Sequence, residues 1–310
     1  MFIELVLTLL TVLLVWFIID NYFPARKFAP GPLRLPLIGN ALSLILNRST
    51  PPFILFQQFS KQYGPVCYLS TGQRKIVIID DFETSKQILN HETWINRPYH
   101  PRIGERSFGK PLGIIFVNGD GWKEMRRFSM RTLRDFGYGK QTSMQVVLDE
   151  EVKALTSKVE LVANSSEPVM EVKHLFTMPV LNILWSMVSN IRTTEDDVKL
   201  RKLIVLVDNL AKANPIAGNI LSIFPFLRFI FPDWTGHTFA QKCHKELQIY
   251  FRDILERRRS EGGYAEDKRD FIDTFIEEIN RHAKLGSNPN HYTDEQFITT
   301  ITDLFEGQTA

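Results

Sequence analysis

The sequence predicts a mainly α-helical protein with a small β-sheet near its N-terminus and an apolar N-terminal helix. Three observations carry this. First, beyond Trp122 the apolar residues recur at helical spacing. Leu247, Tyr250, Phe251, Ile254 and Leu255 form one such stripe, and Phe271, Ile272, Phe275, Ile276 and Ile279 form another. Second, Val66–Ser70 and Lys75–Ile79 have strand composition and are joined by a turn through Thr71-Gly72-Gln73. Third, Leu5 to Ile19 is an unbroken run of uncharged, almost wholly aliphatic or aromatic residues.

The N-terminal run is short for a bilayer, which takes about 17–25 residues. Residues 1–3 and 21–23 lengthen it if Glu4 and Asp20 sit at the interfaces. A cleaved signal peptide is the rival reading. No basic residue precedes the run and no small-x-small site follows it, which favours an uncleaved anchor over residues 1–23. Arg26, Lys27 and Arg34 follow it, which puts the remaining chain on the cytosolic side. Residues 24–40 then read as a proline-rich hinge. Pro30, Pro32 and Pro36 fix φ and remove donors, while Gly31 and Gly39 permit turns. Residues 41–310 form the globular body.

Within the body, Pro52–Tyr63 reads as a helix with Phe53, Phe56 and Phe59 on one side, and Phe82–Asn90 as another. Tyr99–Gly121 is glycine-rich and irregular. Residues 220–231 are very apolar, but Pro225 and Arg228 interrupt them. They read either as a loop dipping into a membrane surface or as a core-facing loop. The last helix opens on Thr293 and Gln296, a capping-box pair, and buries Phe297, Ile301, Leu304 and Phe305. No stop signal precedes Ala310, so a fragment or a truncated gene model is expected.

Composition narrows the function classes. The 310 residues include 37 basic and 35 acidic side chains, a balance that gives no case for nucleic acid. Cys67 and Cys243 form no CxxC pair and fit a reducing compartment. The seven histidines show no ligand-like pairing, and there is no phosphate loop.

The most informative stretch is Gly113–Lys140, GIIFVNGDGWKEMRRFSMRTLRDFGYGK. Trp122 and Arg126 lie four apart on a predicted helix, hence on one face. An indole N–H and a guanidinium only donate, so together they suit a carboxylate or phosphate. A core tryptophan beside a surface arginine is the simpler account of the pair taken alone. Lys123, Arg127, Arg131 and Arg134 form a basic stripe close by, which an ordinary solvated helix face would equally explain.

Taken in order, several segments resemble the N-terminal portion of a microsomal cytochrome P-450, a haem-thiolate monooxygenase of the animal family 2 type. They are PGPLRLPLIGN at 31–40 with its preceding proline, YGPV at Tyr63–Val66, WINRP at Trp94–Pro98, the stretch above, RDFIDTFIEEI at Arg269–Ile279, and the closing TDLFEGQTA. The resemblance implies a cytochrome P-450 fold whose C-terminal part is missing from the chain. It also implies haem b, iron protoporphyrin IX, as cofactor, with propionates bound by Arg97, Trp122 and Arg126. Trp94 stands where the family has phenylalanine.

The resemblance further implies electrons from NADPH through a flavoprotein reductase, with cytochrome b5 as a second partner. Lys123, Arg127, Arg134 and Lys140 match the docking surface. Phe108, Ile115, Phe116 and Phe305 are candidates to face a small lipophilic substrate, which would be hydroxylated or epoxidised. The implied location is the endoplasmic reticulum membrane, in contact with membrane lipid. Two departures matter. After Phe305 the residues Glu306-Gly307-Gln308-Thr309-Ala310 do not keep the family register, so Thr309 is not assigned a catalytic role. The thiolate loop is also absent, because neither Cys67 nor Cys243 has its context. The alternative expectation is therefore a truncated, non-catalytic, membrane-tethered protein that binds reductase or a lipophilic ligand.

Overall fold

The computed structural model of the chain describes residues 2–22, 28–36, 38–47, 49–71, 74–97, 101–139, 141–172, 175–193, 197–213, 221, 224–263, 268–287 and 289–309. Its helices are α1 Phe2–Tyr22, α2 Ala41–Leu46, α3 Pro52–Tyr63, α4 Phe82–Leu89, α5 Pro101–Arg106, α6 Gly119–Asp135, α7 Gln141–Ala163, α8 Thr177–Ser189, α9 Val198–Ala213, α10 His237–Glu261, α11 Phe271–Leu285 and α12 Asp294–Thr309, with a short helical turn at Leu227–Ile230. Strands β1 Val66–Thr71 and β2 Arg74–Ile79 pair antiparallel, with Val66 opposite Ile79 and Thr71 opposite Arg74. The mainly helical expectation with one small sheet is met. The chain divides into two compact units, Met1–Ile95 with Asn214–His237, and Asn96–Ala213 with Thr238–Ala310.

In the first unit the hairpin is covered on one side by helices. Leu44, Leu55 and Phe59 pack on Cys67 and Leu69 of β1. The sequence-based stripe of α3 shifts slightly. Phe59 is buried and Phe56 partly so, but Phe53 is exposed and Leu55 takes the inward position. On Tyr68 the Phe28 ring stacks at 4.5 Å, and the Arg34 guanidinium lies 5.3 Å from the Tyr68 ring.

The predicted hinge is therefore docked over its described part. Tyr68 N–H donates to Pro30 O at 2.8 Å, and Asn40 N–H to Ser70 O at 2.6 Å. The Asn40 side chain donates to Pro32 O (3.1 Å) and Leu33 O (2.9 Å) and accepts from Ser70 N–H (2.9 Å). Gly39, at φ +60, leaves no room for a side chain, since a Cβ would meet Ser70 O at 2.4 Å. Asn40 is 2% exposed, so Asn40→Ala leaves three backbone groups without their partner. We expect a loss of about 2–3 kcal/mol, read as a lower urea midpoint at unchanged m-value.

Helix α1 is 21 residues long, and its apolar side chains from Ile3 to Ile19 are mostly exposed. Among the described residues no helix is long and apolar enough to cross a membrane. Around the turn at Leu227–Ile230, Phe226, Phe229, Ile230, Phe231 and Trp234 are exposed. The core-facing reading of that segment therefore does not hold for them.

The second unit is a helical body with one core. Phe128 of α6 sits 5.6 Å from Phe271, 5.2 Å from Phe275 and 5.4 Å from Tyr292, mostly edge to face. Trp185 of α8, Phe251 of α10 and Phe305 of α12 form a second aromatic group. The two predicted stripes on α10 and α11 are buried, apart from the partly buried Tyr250. Arg258 crosses from α10 to Asp270 Oδ2 (2.5 Å), Asp273 Oδ1 (3.3 Å) and Ser189 O (2.5 Å). That buried charge is paired and hydrogen-bonded, as burial demands.

Candidate functional site

The site lies in the second unit and is built by α6, the loop before it and α12. Helix α6 is amphipathic. Met125, Phe128, Ser129, Thr132 and Leu133 face inward, while Lys123, Arg126, Arg127, Arg131 and Arg134 are exposed. Trp122 is half-buried at the boundary between the two faces. One helix thus presents an inner face, a basic outer face and a tryptophan–arginine edge, as its spacing predicts.

The preceding loop is held by two polar residues of α12. Asp303 Oδ2 accepts from Ile114 N–H at 2.6 Å and Ile115 N–H at 3.1 Å. Gln296 accepts from Gly113 N–H and donates to Gly113 O, both at 3.3 Å. Gly113 is obligatory, with φ +90 and Asp303 Oδ2 only 2.3 Å from where a Cβ would stand. The predicted capping box is therefore half formed. Thr293 Oγ1 accepts from Gln296 N–H at 3.2 Å, but the Gln296 side chain reaches the loop instead of returning to the cap. Asp303 also pairs with Arg106, which donates to Glu306 at 2.7 Å. Burial pushes the Glu306 carboxyl above its ordinary range; Arg106 pulls it back and Asp303 adds to the rise.

A cavity of about 340 Å³ opens between these elements, lined by Arg97, Ile114, Ile115, Trp122, Arg126, Ser129, Met130, Leu133 and Leu304. It brings together all three residues expected to bind propionates. Arg97 reaches it because Asn118 clasps its backbone. Arg97 N–H donates to Asn118 Oδ1 and Asn118 Nδ2 donates to Arg97 O, both at 2.6 Å. Asn118 is the N-cap of α6 but makes no side-chain cap bond. Its use as a clasp depends on a residue 21 positions away. Arg126 lies with its Cζ 5.6 Å from the Trp122 ring centroid.

The role of Trp122 needs correction. Its indole N–H, expected to face a ligand, donates to Ile114 O at 3.1 Å. An indole has one donor, so Trp122 serves as a wall and a platform for Arg126, and Arg97 and Arg126 are the cationic residues of the lining.

The substrate candidates also separate. Ile115 lines the cavity, with Leu304 and Ile114 beside it. Phe305 is fully buried against Trp185 and Phe251 and does not line it. Successive helical residues turn by about 100°, so Leu304 meets the cavity while its neighbour enters the core. The Phe116 ring lies 5.5 Å from the Arg106 guanidinium. Phe108, at φ +57, packs against the core with Arg252 5.9 Å from its ring. Neither lines the cavity. Of the basic stripe, Lys123 lies 3.4 Å from Asp120, Arg127 and Arg134 are exposed, and Lys140 falls outside the described residues.

The donor set fits an amphiphilic, planar acid such as haem at one edge. Two arginines line a cavity whose remaining lining is mostly apolar, from Ile114, Ile115, Trp122, Met130, Leu133 and Leu304. No cysteine is among the lining residues. Cys67 and Cys243 are fully buried, and burial pushes both thiols up.

A family model described as Cytochrome P450 matches residues 29–309. The chain is 32% identical to the farnesoate epoxidase of Bombyx mori over 305 residues, covering 97% of this chain and 60% of that protein. It is 32% identical over 283 residues to cytochrome P450 2J1 of Oryctolagus cuniculus, covering 90% of this chain and 54% of that protein. It is 28% identical over 284 residues to cytochrome P450 2J2 of Homo sapiens, again covering 90% of this chain and 54% of the relative. The chain thus spans 54–60% of the length of these relatives.

Proposed function

We propose that this chain, which belongs to the cytochrome P450 family, forms the haem-edge-binding portion of a monooxygenase acting on small lipophilic molecules. One observation carries the reading: Arg97 and Arg126, from separate parts of the sequence, meet at a single cavity whose other lining is mostly apolar. Arg97 and Arg126 would hold the propionates by charge-assisted hydrogen bonds. Trp122 orients Arg126, and Asn118 orients Arg97. Asp303 and Gln296 fix the loop that supplies Ile114 and Ile115 as walls. Haem b, when bound, supplies the oxygen-activating redox chemistry. We assign neither Cys67 nor Cys243 as its thiolate ligand, since neither is among the lining residues.

The overall reaction would take one atom of O2 into the substrate, by hydroxylation or epoxidation, and reduce the other to water with two electrons from NADPH and two protons. The name of the Bombyx mori relative makes farnesoate the first substrate to try. The test is turnover by the full-length natural protein with a flavoprotein reductase, NADPH and ¹⁸O₂. A product carrying one ¹⁸O atom supports the reading. NADPH consumption with no labelled product from farnesoate or a panel of terpenoids, steroids and fatty acids overturns it.

Electrons would arrive on the exposed side of α6. Lys123, Arg127 and Arg134 offer a basic face to an acidic reductase, and cytochrome b5 would use the same charge logic. Complementary charge of this kind acts mainly on association rate. Arg127→Glu with Arg134→Glu is expected to slow reductase-dependent reduction about tenfold at low salt, and the deficit should shrink as salt rises. Equal rates at all salt concentrations would remove the docking assignment.

Helix α1 is proposed as an anchor in the endoplasmic reticulum membrane, with the body cytosolic. What supports this is exposure: its apolar side chains from Ile3 to Ile19 are mostly uncovered by the rest of the chain. The aromatic residues Phe226, Phe229 and Trp234 suit contact with membrane lipid. Deletion of residues 2–22 should abolish flotation with liposomes or reduce it to the weaker contribution of that patch. Flotation unchanged by the deletion would contradict the anchor.

A further inference from the structure

The inner face of α6 carries a polar group that the site as described does not use. Ser129 is 2% exposed, lines the cavity, and its Oγ has no hydrogen-bond partner. It is the one buried hydroxyl in this condition among the described residues. Other helical hydroxyls here satisfy themselves on the carbonyl four residues back. Ser60 donates to Phe56 O, Ser189 to Trp185 O, Thr299 to Glu295 O and Thr302 to Ile298 O. Ser129 could do the same with Met125 O and does not. A buried hydroxyl left unpaired is costly, so a partner entering the cavity would recover that cost.

Position indicates which partner. Trp122, Arg126, Ser129 and Leu133 all line the cavity at spacings of four, seven and eleven, which is one helix face. Ser129 therefore lies one turn beyond Arg126 on the helix face that lines the cavity. A group whose acidic edge is gripped by Arg126 presents carboxylate oxygens nearest that point. A hydroxyl there can donate, and it carries no charge to desolvate.

We propose that Ser129 is a further binding residue of the cavity, donating its Oγ–H to a carboxylate of the group that Arg97 and Arg126 hold; this rests on the haem-edge reading above. The test titrates the 310-residue chain and its Ser129→Ala and Ser129→Thr variants with hemin and with hemin dimethyl ester, whose carboxylates are blocked. Unfolding without hemin is followed in parallel. Ser129→Ala should weaken hemin binding about tenfold, leave ester binding unchanged, and leave the hemin-free chain as stable as wild type or slightly more so. Ser129→Thr should keep most of the hemin affinity. Equal hemin affinity for wild type and Ser129→Ala overturns the proposal. So does equal weakening toward both ligands, or a lowered unfolding midpoint without hemin, either of which marks a packing role. A wild-type chain that does not prefer hemin to its ester overturns the haem-edge reading itself, and this proposal with it.

Discussion

Asp303→Ala should cost about 3–5 kcal/mol of stability, the largest single-residue effect expected in the second unit. The Asp303 side chain is wholly buried and serves three partners. It accepts from Ile114 N–H and Ile115 N–H and pairs with Arg106. Alanine leaves two loop N–H groups without acceptors and a buried guanidinium with Glu306 alone. Because the loop walls the cavity, ligand binding should fall with stability, which separates this variant from a purely local defect. Urea unfolding measures the first effect and hemin titration the second. Asp303→Asn keeps an acceptor for the loop and should cost less.

Glu306→Gln is the contrasting case. Its folded-state carboxyl is raised, so folding takes up a proton there. The stability linked to that proton is complete below the ordinary glutamate range and is lost as pH rises through the raised value. Glutamine removes the titration, and Arg106 keeps Asp303 as its partner. The difference in stability between Glu306→Gln and wild type should therefore grow in favour of the variant as pH rises across that window. A constant difference would show that the carboxyl does not titrate there.

The second large effect concerns the arginines. Arg97→Ala and Arg126→Ala should each weaken hemin binding by about 10- to 100-fold, the range for hydrogen bonds to charged groups. If both grip the same acidic edge, the double variant should fall short of the product of the two, because residues sharing one partner are not additive. Arg134→Ala, on the same helix but outside the lining, should bind hemin as wild type does.

Much of this was legible in the sequence, for identifiable reasons. Helical periodicity placed the inner faces of α10 and α11, and strand composition placed β1 and β2 to within a residue. The spacing of Trp122 and Arg126 placed both at one cavity, because helical geometry is local. What was not legible depends on contacts between distant segments. Whether the Trp122 indole was available depended on Ile114 O, eight residues earlier. The clasp of Arg97 by Asn118 and the pinning of the loop by Asp303 span 21 and 189 residues. Phe305 was assigned toward a substrate from its place in a motif, but the phase of α12 turns it into the core and brings Leu304 to the cavity. The proline-rich segment read as a hinge because proline and glycine set backbone freedom; its docking on β1 depends on Asn40 and Ser70, which no local pattern links.

The most direct test of the central claim, that Arg97 and Arg126 form a receptor for the acidic edge of haem, is the affinity of the chain for hemin relative to hemin dimethyl ester. The account predicts a preference for hemin of at least about tenfold in the wild-type chain, abolished in the Arg97→Ala, Arg126→Ala double variant. Equal affinity for the two ligands in the wild-type chain, or a preference that survives loss of both arginines, would contradict it.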